Sequence, residues 1–523
     1  MNKLFYGDNL EVLQKYIDDE SVDLCYVDPP FNSNRNYNQI YNNVGKDDIA
    51  QSQAFVDTWR WELSAESQLD MLCKDQRYTR RLVDTVLGFE QVLRKGDMLA
   101  YLVNMAVRIA EIWRVLKPTG SFYVHCDPTA SHYLKIILDA VFCDRGGDFR
   151  NEIIWCYKSR PQSKRYFGKK HDVIFFYTKS DKYTFNWETI ARPLSEQTIK
   201  KYRLVDENGR HYRLQGRGIT GSPIRSAKDV DQKWEITNPE LVVRDYLDEK
   251  LGVAQEDWWI MDIVNQSAKE RLGYATQKPL ALLQRIIKAS SNEGDVILDA
   301  FCGCGTTVDA AHSLNRKWIG IDITSNAVLL IIKRLVDRYG RDILDEMTIT
   351  GIPRDIESAR ALANKKDDRL RKEFEKWAIL TYTESHAKIN DKKGSDRGID
   401  GIAYIFGNNK VVFSVKSGSV SVKDIRDLRG VMEREIAAAA ILLTLENPTK
   451  PMLQEAATSG YVGDLPGLPM TRKTPKLQVI TIQEMLDGAR MTLPLPEAVV
   501  KSAERHKRKS KDRQIEFDGD ENT

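Results

Sequence analysis

Cysteine is scarce in this sequence, and its few copies follow no regular spacing. The seven cysteines lie at positions 25, 73, 126, 143, 156, 302 and 304. This pattern is neither a disulfide framework nor a set of paired zinc ligands, because no second Cys or His pair accompanies positions 302 and 304. The sequence therefore predicts a protein of a reducing compartment, with a cytoplasmic location, and it predicts no structural zinc site.

Long hydrophobic runs and an excess of one charge are also missing. No apolar stretch is long enough to cross a membrane, and the N-terminus lacks the pattern of a secretory signal peptide, so we expect no membrane partner. The 78 Lys and Arg residues and the 75 Asp and Glu residues leave a formal net charge of only +3. Any surface that binds nucleic acid must therefore be local.

The sequence does contain enough apolar material for several domains. A chain of 523 residues with 42% hydrophobic residues is expected to form two or three of them. Strand-like and helix-like runs alternate through most of the chain, which predicts an α/β fold. The rhythm changes in the middle, and the charged tail is predicted to be disordered because it has almost nothing to bury. The predicted divisions are 1–180, 181–265, 266–365, 366–490 and 491–523.

Local patterns predict individual elements within these divisions. Apolar residues at helical spacing predict a helix over 98–120 that ends at a Lys-Pro-Thr-Gly signal, and a second helix is predicted over 371–380. A hairpin of strands is predicted within 394–418. The other predicted strands lie at 4–6, 24–27, 121–127, 151–158, 171–179 and 317–323, and the stretch 296–314 is predicted to form a strand, a glycine turn and a helix.

An unusual acidic and proline-rich turn follows the strand-like run 22–27. Two prolines cannot continue a sheet ladder, so Asp28-Pro29-Pro30-Phe31 leaves the sheet in an extended turn. A plain turn would explain the prolines but not the acid and the aromatic ring beside them. The Asp28 carboxylate and a carbonyl of the Pro29–Pro30 segment could accept the two protons of an exocyclic base amine and free its lone pair. Phe31 could stack on a base flipped out of the duplex, so these four residues are predicted to be catalytic.

A glycine turn between a strand and a helix forms the second candidate site. In the stretch "ILDAFCGCGTT", Gly303 and Gly305 would let the backbone approach a ligand at a helix N-terminus. Asp322, at the end of the next strand, stands where an acid takes ribose hydroxyls in nucleotide sites. A third glycine is missing and Asp299 would repel phosphate, which disfavours a pyrophosphate ligand. S-adenosylmethionine, with its ribose and positive charge, suits these acids; a tight turn without a ligand is the alternative.

Several motifs in a fixed order carry a resemblance to a known family. The stretches "LFYGDNLEVL", "VDPPFN", "RVLKPTGSFYVHCDP", "NEIIWCYK" and "ERLGYATQKPLALLQRIIKASSNEGDVILDAFCGCGTT" resemble the motifs of amino-methylating DNA methyltransferases of the permuted β group over about 1–360. The resemblance implies a Rossmann-like, S-adenosylmethionine-dependent methyltransferase fold with the target-recognition region inserted at 181–265. The cofactor-binding residues that it implies are Asp8, Asn9, Gln277, Lys278, Pro279, Asp299, Phe301, Gly303, Gly305, Thr306 and Asp322.

The same resemblance bears on the substrate. Double-stranded DNA is the implied partner, and Asp rather than Ser before Pro-Pro favours adenine N6 over cytosine N4, which is a habit of the family. The basic and aromatic content of the insertion suits DNA, although a solvated surface would look similar. The recognised DNA sequence does not follow from these residues.

The C-terminal part resembles the Mrr-like branch of PD-(D/E)xK nucleases, which implies a smaller α/β restriction-endonuclease-like domain. Asp400 and Lys416 match that motif, and Glu375 could be the helix acid. Ser414 stands where the pattern has Asp, Glu or Gln, which removes one ligand of the Mg²⁺ that Asp400 would bind in an active site. A DNA-binding module that does not cleave is the alternative.

Three functions stay open on these grounds. The first is an adenine methyltransferase with a non-catalytic second domain, and the second is a single-chain restriction–modification enzyme. The third is a subunit that marks or binds DNA for a separate restriction or helicase subunit. A homodimer and cytosine N4 methylation also stay open.

Overall fold

The computed structural model describes most of the chain up to residue 493. The residues that it does not describe are 31–34, 41–50, 58–60, 62, 159–164, 166, 217–231, 238, 265–267, 269, 273, 275, 354, 365–367, 384–386, 391–397, 406–408, 464–472 and 494–523. The predicted roles of Phe31 and of almost all of the 491–523 tail therefore lie outside the described residues.

Strands and helices alternate through the first 350 residues. The strands are β1 (Asn2–Tyr6), β2 (Val22–Val27), β3 (Arg35–Ile40), β4 (Gln51–Asp57), β5 (Leu116–Cys126), β6 (Asp148–Cys156), β7 (His171–Thr178), β8 (Leu204–Val205), β9 (His211–Gly216), β10 (Val242–Tyr246), β11 (Trp258–Ile260), β12 (Val296–Asp299), β13 (Lys317–Asp322) and β14 (Met347–Thr350). The helices are α1 (Asn9–Tyr16), α2 (Leu63–Lys74), α3 (Arg80–Leu93), α4 (Asp97–Val115), α5 (Ser131–Phe142), α6 (Glu196–Ile199), α7 (Gln232–Thr237), α8 (Leu280–Ser290), α9 (Thr306–Ser313) and α10 (Ser325–Tyr339).

The C-terminal part contains a second set of elements. Its helices are α11 (Ile356–Ala363), α12 (Asp368–Tyr382), α13 (Val422–Arg434), α14 (Lys450–Ala457) and α15 (Ile482–Leu486). Its strands are β15 (Ala387–Ile389), β16 (Gly401–Ile405), β17 (Asn409–Lys416), β18 (Ala439–Thr444) and β19 (Leu477–Thr481). None of the helices in the described part of the chain has the length and apolar character needed to span a bilayer.

A nine-stranded sheet organises the first part, in the order β11-β6-β7-β5-β2-β12-β13-β1-β14. Strands β5, β2, β12, β13, β1 and β14 run parallel, whereas β7 is antiparallel to both β5 and β6. Buried apolar residues of α3, α4 and α5 form a core on one face, and those of α8, α9 and α10 form a core on the other. The predicted α/β fold is confirmed. Because the central strands are parallel, their carboxyl ends meet at one edge.

The helix predicted within 98–120 is confirmed as α4, and it stops just before the Lys-Pro-Thr-Gly signal. Helix α4 ends at Val115, and Leu116–Gly120 extends β5 instead. Pro118 disfavours the helical conformation of the residue before it, so the chain turns into a strand at this signal. The pairing of β6 with β7 confirms the two strands predicted at 151–158 and 171–179.

The 181–265 region contributes to two sheets rather than one. Strands β8, β9 and β10 form a small sheet of their own. Strand β11 lies within the same range, but it pairs in parallel with β6 at the margin of the nine-stranded sheet. The sequence did not indicate this, because three residues carry too little periodicity to show which sheet they join.

A five-stranded sheet in the order β15-β16-β17-β18-β19 forms the second unit. Strands β16 and β17 form the predicted antiparallel hairpin, and α12 contains the helix predicted over 371–380. The two units touch, since the Tyr6 hydroxyl donates a 2.7 Å hydrogen bond to Glu373 of α12.

Candidate active site

The proline turn follows β2 directly, at the edge where the parallel strands end. Its acid, Asp28, is half-buried and has two differently placed oxygens. The ammonium of Lys278 binds Oδ2, whereas no described residue forms a hydrogen bond with the buried Oδ1. A buried carboxylate oxygen without a donor is costly, so this atom is suited to accept a hydrogen bond from a bound group.

The Gln-Lys-Pro segment helps to build the turn that leads into α8. Gln277 is buried, and its amide donates to Glu270 O at 2.6 Å and accepts from Leu272 N at 2.8 Å. Pro279 is the N-cap of α8. Only the middle residue, Lys278, extends to the Asp28 side. The structure thus places two of the three predicted cofactor residues in roles that hold the loop and α8.

Gly303 and Asp322 come together at the glycine turn. Gly303 has a φ of +49°, and its N–H donates a 2.8 Å hydrogen bond to Asp322 Oδ2. Asp322 Oδ1 accepts from the backbone and hydroxyl of Thr324, both at 2.8 Å. Burial raises the pKa of Asp322 above its usual value. The carboxylate predicted to take ribose hydroxyls therefore also fixes the turn.

Gly305 meets a requirement of the protein core in addition to the ligand approach that the motif predicts. Its φ is +74°, and a Cβ at this position would lie 2.7 Å from Ile331 Cγ1 on α10. The motif predicts that Gly305 permits close approach of a ligand. The structure shows that it permits close approach of a buried core residue, because the Cβ direction faces α10.

Asp299 and Phe301 lie at the end of β12, between the proline turn and the glycine turn. Burial, together with the charges of Asp28 and Asp322, raises the pKa of Asp299 to about 7 against the opposing hydrogen bonds of Thr307 and Phe301. The Phe301 N–H donates to Asp299 Oδ1 at 3.0 Å, and its ring packs against the core. Three acids from adjacent strand ends thus crowd one edge.

Asp8 and Asn9 are brought to the same edge by a residue that the sequence analysis missed. Arg108 of α4 is buried and donates to both Asp8 oxygens at 3.0 and 3.1 Å and to Asn9 Oδ1 at 2.5 Å. Asn9 in turn donates to Ala300 O at 2.7 Å. A single arginine in an apolar helix was the available signal, because a buried guanidinium needs partners.

A second hydrogen-bond network that was not predicted from the sequence holds Thr306 at the start of α9. Arg334 of α10 donates to Thr306 Oγ1 at 3.1 Å and to Cys304 O at 3.0 Å. It also pairs with the fully buried Asp309 of α9 at 3.0 Å. Arg338, one turn further along α10, reaches the same carboxylate at 3.1 Å. Two arginines four residues apart share a helix face, which could have suggested a common acidic partner.

Two further groups at this edge escaped prediction. Tyr274 is buried over Gly303, so that a Cβ on that glycine would lie 3.3 Å from its ring. Behind the proline turn, the buried His125 contacts Tyr26 OH at 2.9 Å and Asp172 Oδ2 at 3.2 Å. Burial raises the pKa of Asp172, but His125 and the charge of Lys278 outweigh it, so the pKa lies below its usual value.

The site predicted in the second unit is only partly assembled. Asp400 Oδ2 accepts hydrogen bonds from Val415 N at 2.7 Å and from Ser414 Oγ at 3.3 Å. Lys416 is exposed at the end of β17, and Glu375 is half-buried on α12. In the described ranges, no three His, Cys, Asp or Glu side chains are grouped closely enough to hold a metal ion by themselves. Mg²⁺ binding at Asp400 stays a prediction.

The basic residues of the small sheet are largely neutralised. Three arginines each stack on a tyrosine and bind an acid, which leaves their charge compensated. The ion pairs are Arg210 with Asp248 and Glu249, Arg213 with Asp245, and Arg244 with Glu235. By contrast, Lys200, Lys201 and Arg203 are exposed and form no ion pair with any residue that the structure describes.

Comparison with known proteins gives two family matches. Residues 22–333, more than half of the chain, match the N6/N4 family model described as DNA methylase. Residues 370–463 match the model described as restriction endonuclease. The second match falls on the five-stranded unit and agrees with the resemblance inferred from the Asp400 motif.

Three curated relatives are similar to this chain. The type II methyltransferase M.EcaI of Enterobacter cloacae is 30% identical over 45% of this chain and 57% of its own length. M.HpaI of Haemophilus parainfluenzae is 32% identical over 46% of this chain and 60% of its own length. The DNA adenine methyltransferase YhdJ of Escherichia coli is 27% identical over 64% and 82%. The chain thus spans less than two thirds of the length of the first two relatives.

Proposed function

The chain belongs to the DNA methylase family, and on that premise we propose that it transfers a methyl group from S-adenosylmethionine to an exocyclic base amine in double-stranded DNA. One observation carries the proposal: a buried Asp28 oxygen without a donor lies one strand away from an acid-lined glycine turn. A hydrogen-bond acceptor for the base amine and a pocket for a cationic ligand then lie at the same edge of the sheet.

The pocket residues suit the cofactor by their chemistry. Asp299 and Asp322 are acids at adjacent strand ends, and the turn at Gly303 offers backbone close to them. A ligand whose ribose hydroxyls donate hydrogen bonds and which carries a positive charge matches such a set of acidic acceptors. S-adenosylmethionine, when bound, supplies the methyl group on a sulfonium that needs no further activation as a leaving group.

The proline turn would act on the base. An exocyclic amine is a weak nucleophile because its lone pair is conjugated into the ring. Asp28 Oδ1 accepts one amine proton as a hydrogen bond, and a carbonyl of the Pro29–Pro30 segment accepts the other. The nitrogen is drawn toward a tetrahedral shape, which frees its lone pair, while the rigid prolines hold both acceptors in place.

The preferred base is adenine, methylated at N6. The Asp-Pro-Pro sequence favours it by family habit, and one relative is named a DNA adenine methyltransferase, which supports the same choice. Two relatives are named type II methyltransferases, which supports a restriction–modification or phage-defence setting. Cytosine N4 is the alternative base. A separate restriction or helicase subunit and a second copy of the chain stay predictions.

Methyl transfer is tested with isotope-labelled S-adenosylmethionine and duplex DNA, followed by mass spectrometry of the nucleosides. We expect N6-methyladenine from the wild type. Asp28→Ala should abolish transfer with almost unchanged cofactor affinity in calorimetry, because Asp28 acts on the base. Asp70→Ala, at an exposed carboxylate, is the matched control. N4-methylcytosine as the product would overturn the base assignment, and no methylated base would overturn the proposal itself.

We also propose that the second unit binds DNA and is at most a weak nuclease. The observation behind this is the placement of Ser414, which donates a hydrogen bond to Asp400 instead of adding a second carboxylate. The test compares cleavage of unmethylated plasmid with Mg²⁺ or Mn²⁺ by the wild type, Lys416→Ala and Ser414→Glu. Cleavage only by Ser414→Glu would support a degenerate site. Robust wild-type cleavage that Lys416→Ala removes would favour a single-chain restriction–modification enzyme.

A further inference from the structure

The two oxygens of the Asp28 carboxylate have different surroundings. Oδ2 is bound by the Lys278 ammonium, whereas Oδ1 is buried and receives no hydrogen bond from any residue in the described ranges. Both side chains are largely shielded from water, with 12% of Lys278 and 18% of Asp28 exposed. The ion pair is therefore not a solvated surface contact, and its geometry constrains where Oδ1 points.

The backbone on both sides of Lys278 is fixed. On one side, the Gln277 amide bridges Glu270 O and Leu272 N. On the other, Pro279 caps α8, which begins at Leu280. The stem of Lys278 therefore starts from a rigid point, which makes its ammonium a defined anchor for Asp28 rather than a mobile counter-ion.

The charge of Lys278 acts on both sides of Asp28, since it also opposes the burial that raises the pKa of Cys304 in the glycine turn. It contributes to the lowered pKa of Asp172, which binds His125 and Tyr157 behind the proline turn. The described hydrogen bonds of Asp322, by contrast, come from Gly303 and Thr324. Lys278 thus lies among the groups around Asp28, although its motif belongs to the cofactor half of the sequence.

We propose that Lys278 is a positioning residue for the target amine: it holds one oxygen of Asp28 so that the other faces the base. This inference rests on the proposed function and reassigns Lys278 from the cofactor to the base. Asp28 has an acidic neighbour at the next strand end, Asp299, whose charge, when it is ionised, would repel a carboxylate that is not held in place. A displacement of the acceptor by about 1 Å is enough to reduce the rate about 10²-fold.

The test measures kcat and cofactor affinity separately in Lys278→Met, Lys278→Gln and Lys278→Arg. Methionine and glutamine remove the charge with different shapes, and arginine keeps a donor for Asp28. We expect kcat at saturating cofactor to fall about 10²-fold in Lys278→Met. The calorimetric affinity for S-adenosylmethionine should be the same in all variants as in the wild type. Unchanged affinity would also show that the variants are folded. Lys278→Arg should retain most of the wild-type rate. Lys74→Met, in an exposed ion pair with Asp70, is the control.

The outcomes separate this inference from the function on which it rests. A wild type that methylates no DNA overturns the proposed function and the inference together. An active wild type with a Lys278→Met variant that behaves like Lys74→Met overturns the inference alone. So does a variant with weakened cofactor affinity and an unchanged kcat, because Lys278 would then be the cofactor residue that its motif suggests.

Discussion

Arg334 of α10 and Asp309 of α9 form a buried ion pair of 3.0 Å, with only 2% and 0% of their side chains exposed. The same guanidinium donates to Cys304 O and Thr306 Oγ1, so it ties the glycine turn to the helix behind it. The turn therefore owes its shape to a charge that no motif of the cofactor pocket contains.

Replacing Arg334 by Met should destabilise the protein and weaken cofactor binding. Removing one member of a buried pair leaves the other charge uncompensated, which costs about 3–5 kcal/mol. Arg338→Met is the control, because Asp309 would keep its bond to Arg334 and the cost should be smaller. Urea denaturation measures the free energy of unfolding of both variants, and calorimetry measures their affinity for S-adenosylmethionine. Equal free energies of unfolding for the two variants would contradict the role given to Arg334.

Gly305→Ala should destabilise the protein more than its backbone conformation alone requires. A residue with a Cβ in the left-handed region costs about 1–2 kcal/mol, and here the Cβ also lies 2.7 Å from Ile331 Cγ1. Gly209→Ala isolates the first term, since its φ is +78° and nothing lies within 4 Å of its Cβ. Thermal unfolding should show a larger loss for Gly305→Ala. An equal loss would exclude the contact with Ile331 as a cause.

Asp299 should give the protein a stability component that falls as pH rises. Its pKa is raised from 3.8 to about 7 in the folded state. The folded state therefore binds this proton more tightly than the unfolded chain, so stability declines between pH 3.8 and about 7 and is level above that. Asp299→Asn should lack this decline and gain on the wild type toward pH 8. Denaturation across this pH range measures the difference. A constant difference between the two proteins would count against the raised pKa, and Asp70→Asn controls for the removed charge.

Phosphate contacts of the inserted region should come from its uncompensated basic residues. We expect Lys200, Lys201 and Arg203, all changed to Ala, to lower DNA affinity and to reduce the salt slope by about 1 for each phosphate that is no longer neutralised. Changing Arg210, Arg213 and Arg244 to Ala removes the same charge, but these arginines already bind acids, so the slope should change less. Fluorescence anisotropy over a range of salt concentrations compares the two. A larger change in the second set would reverse the assignment.

The sequence by itself determined the local chemistry of this protein. The strand before Asp28, the glycine turn at Gly303 and the hairpin around Asp400 were all predictable, because strand periodicity and turn chemistry depend on a few neighbouring residues. The order of the motifs indicated the family. The motif also singled out Gly305, whose φ is +74° in the structure, and its role beside the cofactor stays a prediction.

Only the tertiary structure decided which of these residues meet. Lys278 binds Asp28 across 250 residues of sequence, and Arg108 reaches Asp8 across 100. Such pairs depend on the order of the parallel strands and on the helices that pack behind them. No short sequence pattern indicates which residues so far apart along the chain come into contact. The same limit hid the pairing of β11 with β6 and the hydrogen bond from Tyr6 to the second unit. Buried charges must find partners wherever the fold brings them, so the partners became visible only once the sheet was assembled.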